Sequence, residues 1–423
     1  MFLGLQSHGS GWSKEVEHEV RISSIKVDGY RRFIGQTIRL EDEATVVAGA
    51  NNSGKTSLID LLRAVLKKES RLRAEDLNSA RRFIWLKALV ETAIAGEDAF
   101  KGLQDGDDVW KLVPGIDVRI HVTYDPSRDD IREFADYLMD LDTEKSSFYF
   151  QYKFHAKRDA LAEVLTDLYP VLREVIDQNE WSNFDDIEIG SPQFLKVQSE
   201  VDVATERLLV AEAFFADEAY SNVVKIEKLN DFKGLFNFRS VKASRELDDM
   251  STDRSSKLNS RLVEVAKEDE KWSEILSKLP KQVVAAIDDT GIRSLTSEET
   301  LKSLNEVIDS ISKTSGTSQS DLFVDFQMTE EQAIELIAKS MQTRYLGEGV
   351  PLGEASQGLG YSNLIYLHLE TESFIRSVGV AENKLLVNIL VIEEPESHMH
   401  PQMQNAFIKP GFTDGRAGNE PLR

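Results

Sequence analysis

Apolar and polar positions alternate through the stretch from Glu19 to Ala48. Val20, Ile22, Ile25 and Val27 come first, then Phe33, Ile34, Ile38 and Leu40, then Val46-Val47-Ala48, separated by turn formers such as Asp28-Gly29. A period near two predicts three short strands. Beyond Gly49 the period lengthens: Leu58, Ile59, Leu61, Leu62, Val65 and Leu66 share one helical face, which predicts a helix. Alternation returns in Ile116–Tyr124 and Phe148–Phe154, which predicts two more strands. The opening third therefore reads as a mixed α/β region with a parallel core and some antiparallel strands.

The middle of the chain reads as helical and charged. Leu258, Leu262, Val265, Asp269, Trp272, Leu276 and Leu279 keep a 4-3-4-3 spacing, which suits a bundle helix or a short coiled-coil arm or dimer contact. Thr296-Ser-Glu-Glu299 has the form of a capping box, and Ser312 to Ser320 that of a Ser/Thr/Gly linker. The last hundred residues return to α/β. Leu322–Phe326 predicts a strand, Thr329-x-x-Gln332 opens a helix through Met341, and a Gly-rich loop from Gly347 to Gly360 precedes another helix. Leu385-Leu-Val-Asn-Ile-Leu-Val-Ile392 is the most apolar run, as expected of a strand buried on both faces.

Composition narrows the classes. The 423 residues allow two or three domains, and 41% apolar residues with 20 Phe exclude a mainly disordered chain. The absence of Cys removes disulfides, thiol catalysis and thiolate-bound metal centres. A net charge of −23, from 50 Lys+Arg against 73 Asp+Glu, speaks against a surface that tracks nucleic acid throughout, while leaving room for a local basic patch. The densest basic segments are Arg71-Leu-Arg73 with Arg81-Arg82, and Arg239 to Arg245 with Lys242. No apolar run approaches a membrane span, and Met1 to Val20 lacks a signal core, so a cytoplasmic protein is expected.

The sharpest chemistry lies at Gly49-Ala-Asn51-Asn52-Ser53-Gly54-Lys55-Thr56, a full match to G-x-x-x-x-G-K-[ST], followed by Ser57. The pattern arises by chance in roughly one chain in a hundred of this length, and here it sits between a strand and a helix, as a phosphate loop must. Backbone N–H groups of such a loop wrap phosphate at the positive end of the helix. Lys55 then reaches the β- and γ-phosphates of ATP, and Thr56 ligates Mg²⁺. At the far end, Glu393 and Glu394 close the buried apolar run, ahead of Pro395-Glu396. An acidic pair after a strand is commonly a solvated loop. Paired with a phosphate loop, Glu393 is expected to face Mg²⁺ and Glu394 to orient or deprotonate the attacking water.

More than 300 residues separate Thr56 from Glu393, with a helical stretch between. That order resembles the ABC-type ATPase heads of the SMC and RecF group. Glu393-Glu-Pro-Glu-Ser-His-Met-His-Pro-Gln402 resembles the E-E-P-E-x-H-x-H-P-Q stretch of the overcoming-lysogenization-defect (OLD) family, and Ile22 to Leu62 has the same look. The resemblance covers about 100 residues at the two ends. It implies an α/β ABC-type P-loop head, with a mixed sheet core, antiparallel strands and a helical insertion or dimerisation region. It also implies a signature loop that meets nucleotide held by a second subunit, for which Ala355-Ser356-Gln357-Gly358-Leu359-Gly360 is the candidate through Ser356 and Gly358. ATP sandwiched between two heads makes a homodimer or higher oligomer part of the mechanism. Ser397 or His398 is implied as a sensor at the head–head contact, near His400, and Asp76 or Asn78 as a stand-in for the usual Gln ligand.

The expected organisation is a disordered or tag-like leader over 1–18, the first half of the head over 19–160, a helical insertion over 161–320, the rest of the head over 321–409, and an unstructured tail over 410–423. The family commonly continues into a Toprim nuclease domain, for which the 29 residues after Glu394 leave no room, so nuclease activity is expected on a missing domain or a partner chain. The function expected is thus that of an ATPase head in a DNA-processing system, with phage defence as a setting known in the family. A RecF/SMC-like repair ATPase without a nuclease, or an ATP-binding module without turnover, are the alternatives.

Overall fold

The computed structural model describes residues 2–3, 20–41, 44–50, 53–105, 109–139, 145–242, 270–289, 329, 332–334, 336, 340, 344–347, 350–353, 359–379, 383–397 and 399–400. In chain order the strands are Phe2–Leu3 (β1), Arg21–Asp28 (β2), Gln36–Arg39 (β3), Thr45–Val46 (β4), Ile116–Thr123 (β5), Ser147–Ala156 (β6), Leu209–Ala216 (β7), Val223–Lys225 (β8), Phe236–Lys242 (β9), Arg344–Gly347 (β10), Val350–Gly353 (β11) and Val387–Glu393 (β12). The helices are Lys55–Leu66 (α1), Ser79–Ala95 (α2), Glu97–Asp105 (α3), Val109–Leu112 (α4), Arg158–Gln178 (α5), Pro192–Leu208 (α6), Leu229–Gly234 (α7), Glu270–Asp289 (α8) and Leu359–Gly379 (α9). The chain divides into two compact units, 1–241 with 374–395 and 412–423, and 242–373 with 396–411.

The first unit is built on two sheets. One is a six-stranded meander of order β3-β2-β5-β6-β7-β8, antiparallel throughout. Strict alternation of buried and half-buried positions along β5 puts Ile116, Val118, Ile120 and Val122 on the core face, opposite Phe154, Tyr152, Phe150 and Phe148 of β6. The three-residue step from Ile22 to Ile25 breaks the two-residue period of β2. A register shift between Ile22 and Ser24 absorbs it, so both side chains still point inward. The other sheet has the order β4-β1-β12-β9. Phe2 and Leu3 pair antiparallel with both β12 and β4. The Val387 N–H donates to the Leu235 carbonyl just ahead of β9 at 2.9 Å, so β9 and β12 set out from the same end and the sheet is mixed.

Helix α1 buries Leu58, Ile59, Leu61, Leu62, Val65 and Leu66 in the same core as β2, β5, β6 and β12. Lys233, 3% exposed, holds the far end of α1: its ammonium donates to the carbonyls of Ala64 (2.8 Å), Lys67 (3.0 Å) and Ser70 (2.6 Å), and burial pushes its pKa down to about 8. A second core joins α2, α3, α5 and α6 around Trp85, whose indole N–H donates to Thr205 at 3.1 Å.

Several expectations meet the structure directly. The strands expected at 116–124 and 148–154 form, as does the strand ending at Glu393. The strand ahead of the phosphate loop is shorter than Val46–Ala48 suggested: it spans Thr45–Val46, with Val46 60% exposed. The stretch 161–320, read as helical, also holds β7, β8 and β9. Leu209–Ala216 carries Ala and Phe at both inward and outward positions, so its period of two is hidden in the sequence. In the second unit β10 and β11 form a hairpin where an irregular Gly-rich loop was expected from Gly347, and Thr329 and Gln332 bond reciprocally as a capping box. The strand expected at 322–326, the capping box at 296–299 and most of the 258–279 repeat lie outside the described residues. Among the described residues, no helix is long and apolar enough to cross a membrane.

Candidate functional site

Gly54 stands at φ +101°, the left-handed turn by which the loop enters α1, and a Cβ there would lie 3.1 Å from Arg32 Cδ and 3.3 Å from Phe33 Cζ. At Gly49 a Cβ would meet Ser53 Oγ at 2.7 Å and Ser53 Cβ at 3.2 Å, so a larger residue there would push the Ser53 side chain aside. No side chain caps α1, whose first intrahelical bond runs from Leu58 N–H to the Gly54 carbonyl at 2.9 Å. Its first-turn N–H groups are therefore directed at whatever anion the loop receives. The Lys55 ammonium folds back onto its own loop, donating to the carbonyls of Gly49 and, at 3.0 Å, Ala50. Phosphate oxygens, as charged acceptors, could replace those carbonyls as partners of the ammonium. Thr56 is exposed beside them, and Ser57 accepts from Arg31 at 3.4 Å. Asn51 and Asn52 lie outside the described residues.

The acidic end is built differently. Six consecutive residues of β12, Val387 to Ile392, are buried, and the strand delivers Glu393 with its side chain 12% exposed. Asn388, the one polar residue in the run, is satisfied by Asn237 (2.8 Å) and by the carbonyls of Asn383 and Leu386 (3.0 Å each). Glu393 Oε1 lies 3.4 Å from Arg63 Nη2 near the far end of α1, so the strand that carries the acids touches the helix that the phosphate loop opens. Glu394 follows, exposed and at φ +49°, ahead of the buried Pro395. A non-glycine residue in this region stores about 1–3 kcal/mol of strain, a cost structures tend to retain at functional positions. In the second unit, Asn363 in the second turn of α9 donates to the Ser397 carbonyl at 2.9 Å, tying the helix after the expected signature loop to the segment after the acids. Ser356, Gly358 and His398 lie outside the described residues, and His400 is exposed.

Reading the sequence missed Arg31, Asp60 and Arg63. Arg31, at φ +43°, bonds Asp60 (3.1 Å) and Asp76 (3.0 Å), and Asp60 bonds Arg63 (3.0 Å). The available signal was the Asp60–Arg63 step on one helix and the cationic turn Tyr30-Arg-Arg-Phe33. Asp76, a candidate for the Gln ligand's place, also accepts the Arg73 backbone N–H. Asn78, the other candidate, caps α2 by accepting from Arg81 N–H and donates to the Arg31 carbonyl. Of the basic segments, Arg81 is engaged bidentately by Asp28 (2.9 and 3.0 Å), Arg82 by Asp202 (2.6 Å), and Arg239 sits over the Phe374 ring.

A glycine loop at an uncapped helix start, with a lysine inside it, and a carboxylate at the end of a buried strand are the parts a P-loop ATPase uses, and the mixed α/β fold around them is that of a P-loop ATPase domain. Its hard oxygen donors, the Thr56 hydroxyl and the Glu393 carboxylate, suit a divalent metal carried with a nucleotide. The chain belongs to the AAA ATPase domain family, which matches residues 21–410. Over 375 residues it is 24% identical to the Endonuclease GajA of Bacillus cereus (strain HuB5-5), a match covering 88% of this chain and 48% of that protein. The chain thus spans about half the length of the curated relative it matches.

Proposed function

We propose that this chain is the ATP-binding and ATP-hydrolysing head of an OLD-family-like DNA-processing system acting in phage defence. The observation that carries the proposal is that the helix opened by the phosphate loop and the strand that ends in the acids pack into one core, with Arg63 near the far end of α1 touching Glu393 of β12. In this reading Gly49, Asn51, Asn52, Ser53 and Gly54 wrap the phosphates with backbone N–H groups, and Lys55 exchanges its carbonyl partners for phosphate oxygens. Thr56, followed by Ser57, and Glu393 hold Mg²⁺, which neutralises phosphate charge when bound. Glu394 positions the attacking water and takes its proton. Ser356 and Gly358 serve nucleotide held by a second copy, so the working form is a homodimer or larger.

Support for a link to DNA cleavage is the similarity to a protein named an endonuclease, 48% of which the match covers. The nuclease step is assigned to a domain or partner beyond the matched region, and the ATPase gates it in the cytoplasm. The head is assembled from 19–160, the strands β7 to β9 and 321–409, with the remainder of 161–320 as its insertion. Single-turnover hydrolysis of ATP by the wild type and by Glu394→Gln tests the proposal. Hydrolysis in the wild type alone is the expected result. Equal, near-zero hydrolysis in both, with ATP bound, overturns turnover and leaves a binding module.

A further inference from the structure

Five side chains of alternating sign run from the turn before α2 to the end of β12: Asp76, Arg31, Asp60, Arg63 and Glu393. The contacts are 3.0 Å for Asp76–Arg31, 3.1 Å for Arg31–Asp60, 3.0 Å for Asp60–Arg63 and 3.4 Å for Arg63–Glu393. Exposure is lowest at the two ends, 12% for both Asp76 and Glu393, against 28% for Arg63. An ionised carboxylate that withdrawn from water requires donors of fixed direction.

Arg63 is itself clamped. Its Nη1 meets Asp60, one turn earlier on α1, and its Nε and Nη2 donate to Ser240 Oγ of β9 at 3.2 and 2.9 Å. A planar guanidinium held by a helix on one side and a sheet on the other loses much of its rotamer freedom, so its Nη2, shared between Ser240 and Glu393, restricts where Glu393 Oε1 stands relative to α1. Asp60 offsets the guanidinium charge, which limits its repulsion of a cation near Glu393. The 3.4 Å contact is longer than the roughly 2.8 Å of tight charge-assisted bonds, which suits orientation rather than capture.

We propose that Arg63 is a positioning residue, which presents the Glu393 carboxylate to the nucleotide-borne metal from a frame made of Asp60 and Ser240. The inference rests on the reading of Glu393 as the metal-facing acid. Mn²⁺ binding to the full chain with ATP, followed by electron paramagnetic resonance, tests it without requiring turnover. Glu393→Gln is expected to weaken Mn²⁺ binding by about tenfold or more, and Arg63→Ala by about tenfold, in the range of supporting partners of metal ligands. ATP affinity in EDTA stays within about twofold for Arg63→Ala, and Arg63→Lys recovers part of the loss. Unchanged Mn²⁺ binding in Arg63→Ala, with a loss in Glu393→Gln, overturns the positioning role alone. Unchanged binding in Glu393→Gln overturns the metal assignment, and the positioning role with it. If Arg63→Ala does not fold, Ser240→Ala carries the test: it loosens the clamp and is expected to weaken Mn²⁺ about threefold, whereas wild-type binding overturns the proposal.

Discussion

The two sheets of the first unit solve the same packing problem in opposite ways. Along β5 every second residue is buried, so the meander presents one face to the core and one polar face carrying Asp117, Arg119 and His121. Along β12 six successive residues are buried, so the strand is covered on both faces and has nowhere to place a charge except at its end. The meander is therefore a scaffold that tolerates polar groups along its length. The four-stranded sheet places the charge of β12 at one point, the strand end held against Arg63. A strand buried on both sides positions a carboxylate more firmly than a half-exposed one, because its backbone cannot shift without opening the core.

The largest effect expected is at that strand end: Glu394→Gln lowers single-turnover ATP hydrolysis by about 10²–10⁴-fold while ATP binding persists. Lys55→Ala is next, with ATP affinity falling about 100-fold or more by equilibrium titration, because a charged donor to the phosphates is lost. Stability separates the sheets further. Ile389→Ala in β12, 4% exposed, costs about 2–5 kcal/mol in denaturant unfolding, whereas Lys153→Ala on the outer face of β6 loses its contact with the Phe214 ring, about 0.5–1 kcal/mol. Equal costs would dissolve the contrast between the two sheets.

Lys233→Met, which leaves three carbonyls at the end of α1 without their donor, falls between these at about 1–3 kcal/mol. Its pH dependence has a definite sign. Burial lowers the folded-state pKa to about 8 from 10.5, so between these values the unfolded chain binds the extra proton. The stability advantage of the wild type over Lys233→Met therefore grows as pH rises from about 8 to 10.5, measured by paired unfolding curves.

Much of this was legible in the chain. The phosphate loop carries its own geometry, since Gly49 and Gly54 stand where a Cβ collides or φ is positive, and the strands at 116–123 and 147–156 follow from their two-residue period. The apolar run ending at Glu393 announced a two-faced strand. What escaped were β7, β8 and β9, because Leu209–Ala216 lacks a clean alternation, and the three-residue step in β2, which a bulge repaired. The cationic turn at Arg31 and Arg32 was visible as residues but not as a neighbour of Gly54.

By itself the sequence determined the local parts: a lysine-bearing glycine loop on a helix, an apolar strand ending in two carboxylates, and the period of each main strand of the meander. Each of these depends on residues within a few positions of one another, where backbone conformation and hydrophobic period decide the outcome. Only the tertiary structure decided that Arg63 and Glu393, 330 positions apart, share a contact, and that Asp60, Ser240, Arg31 and Asp76 complete the chain around them. No local pattern encodes those pairings, because they arise from the packing of α1 against two sheets around a single core.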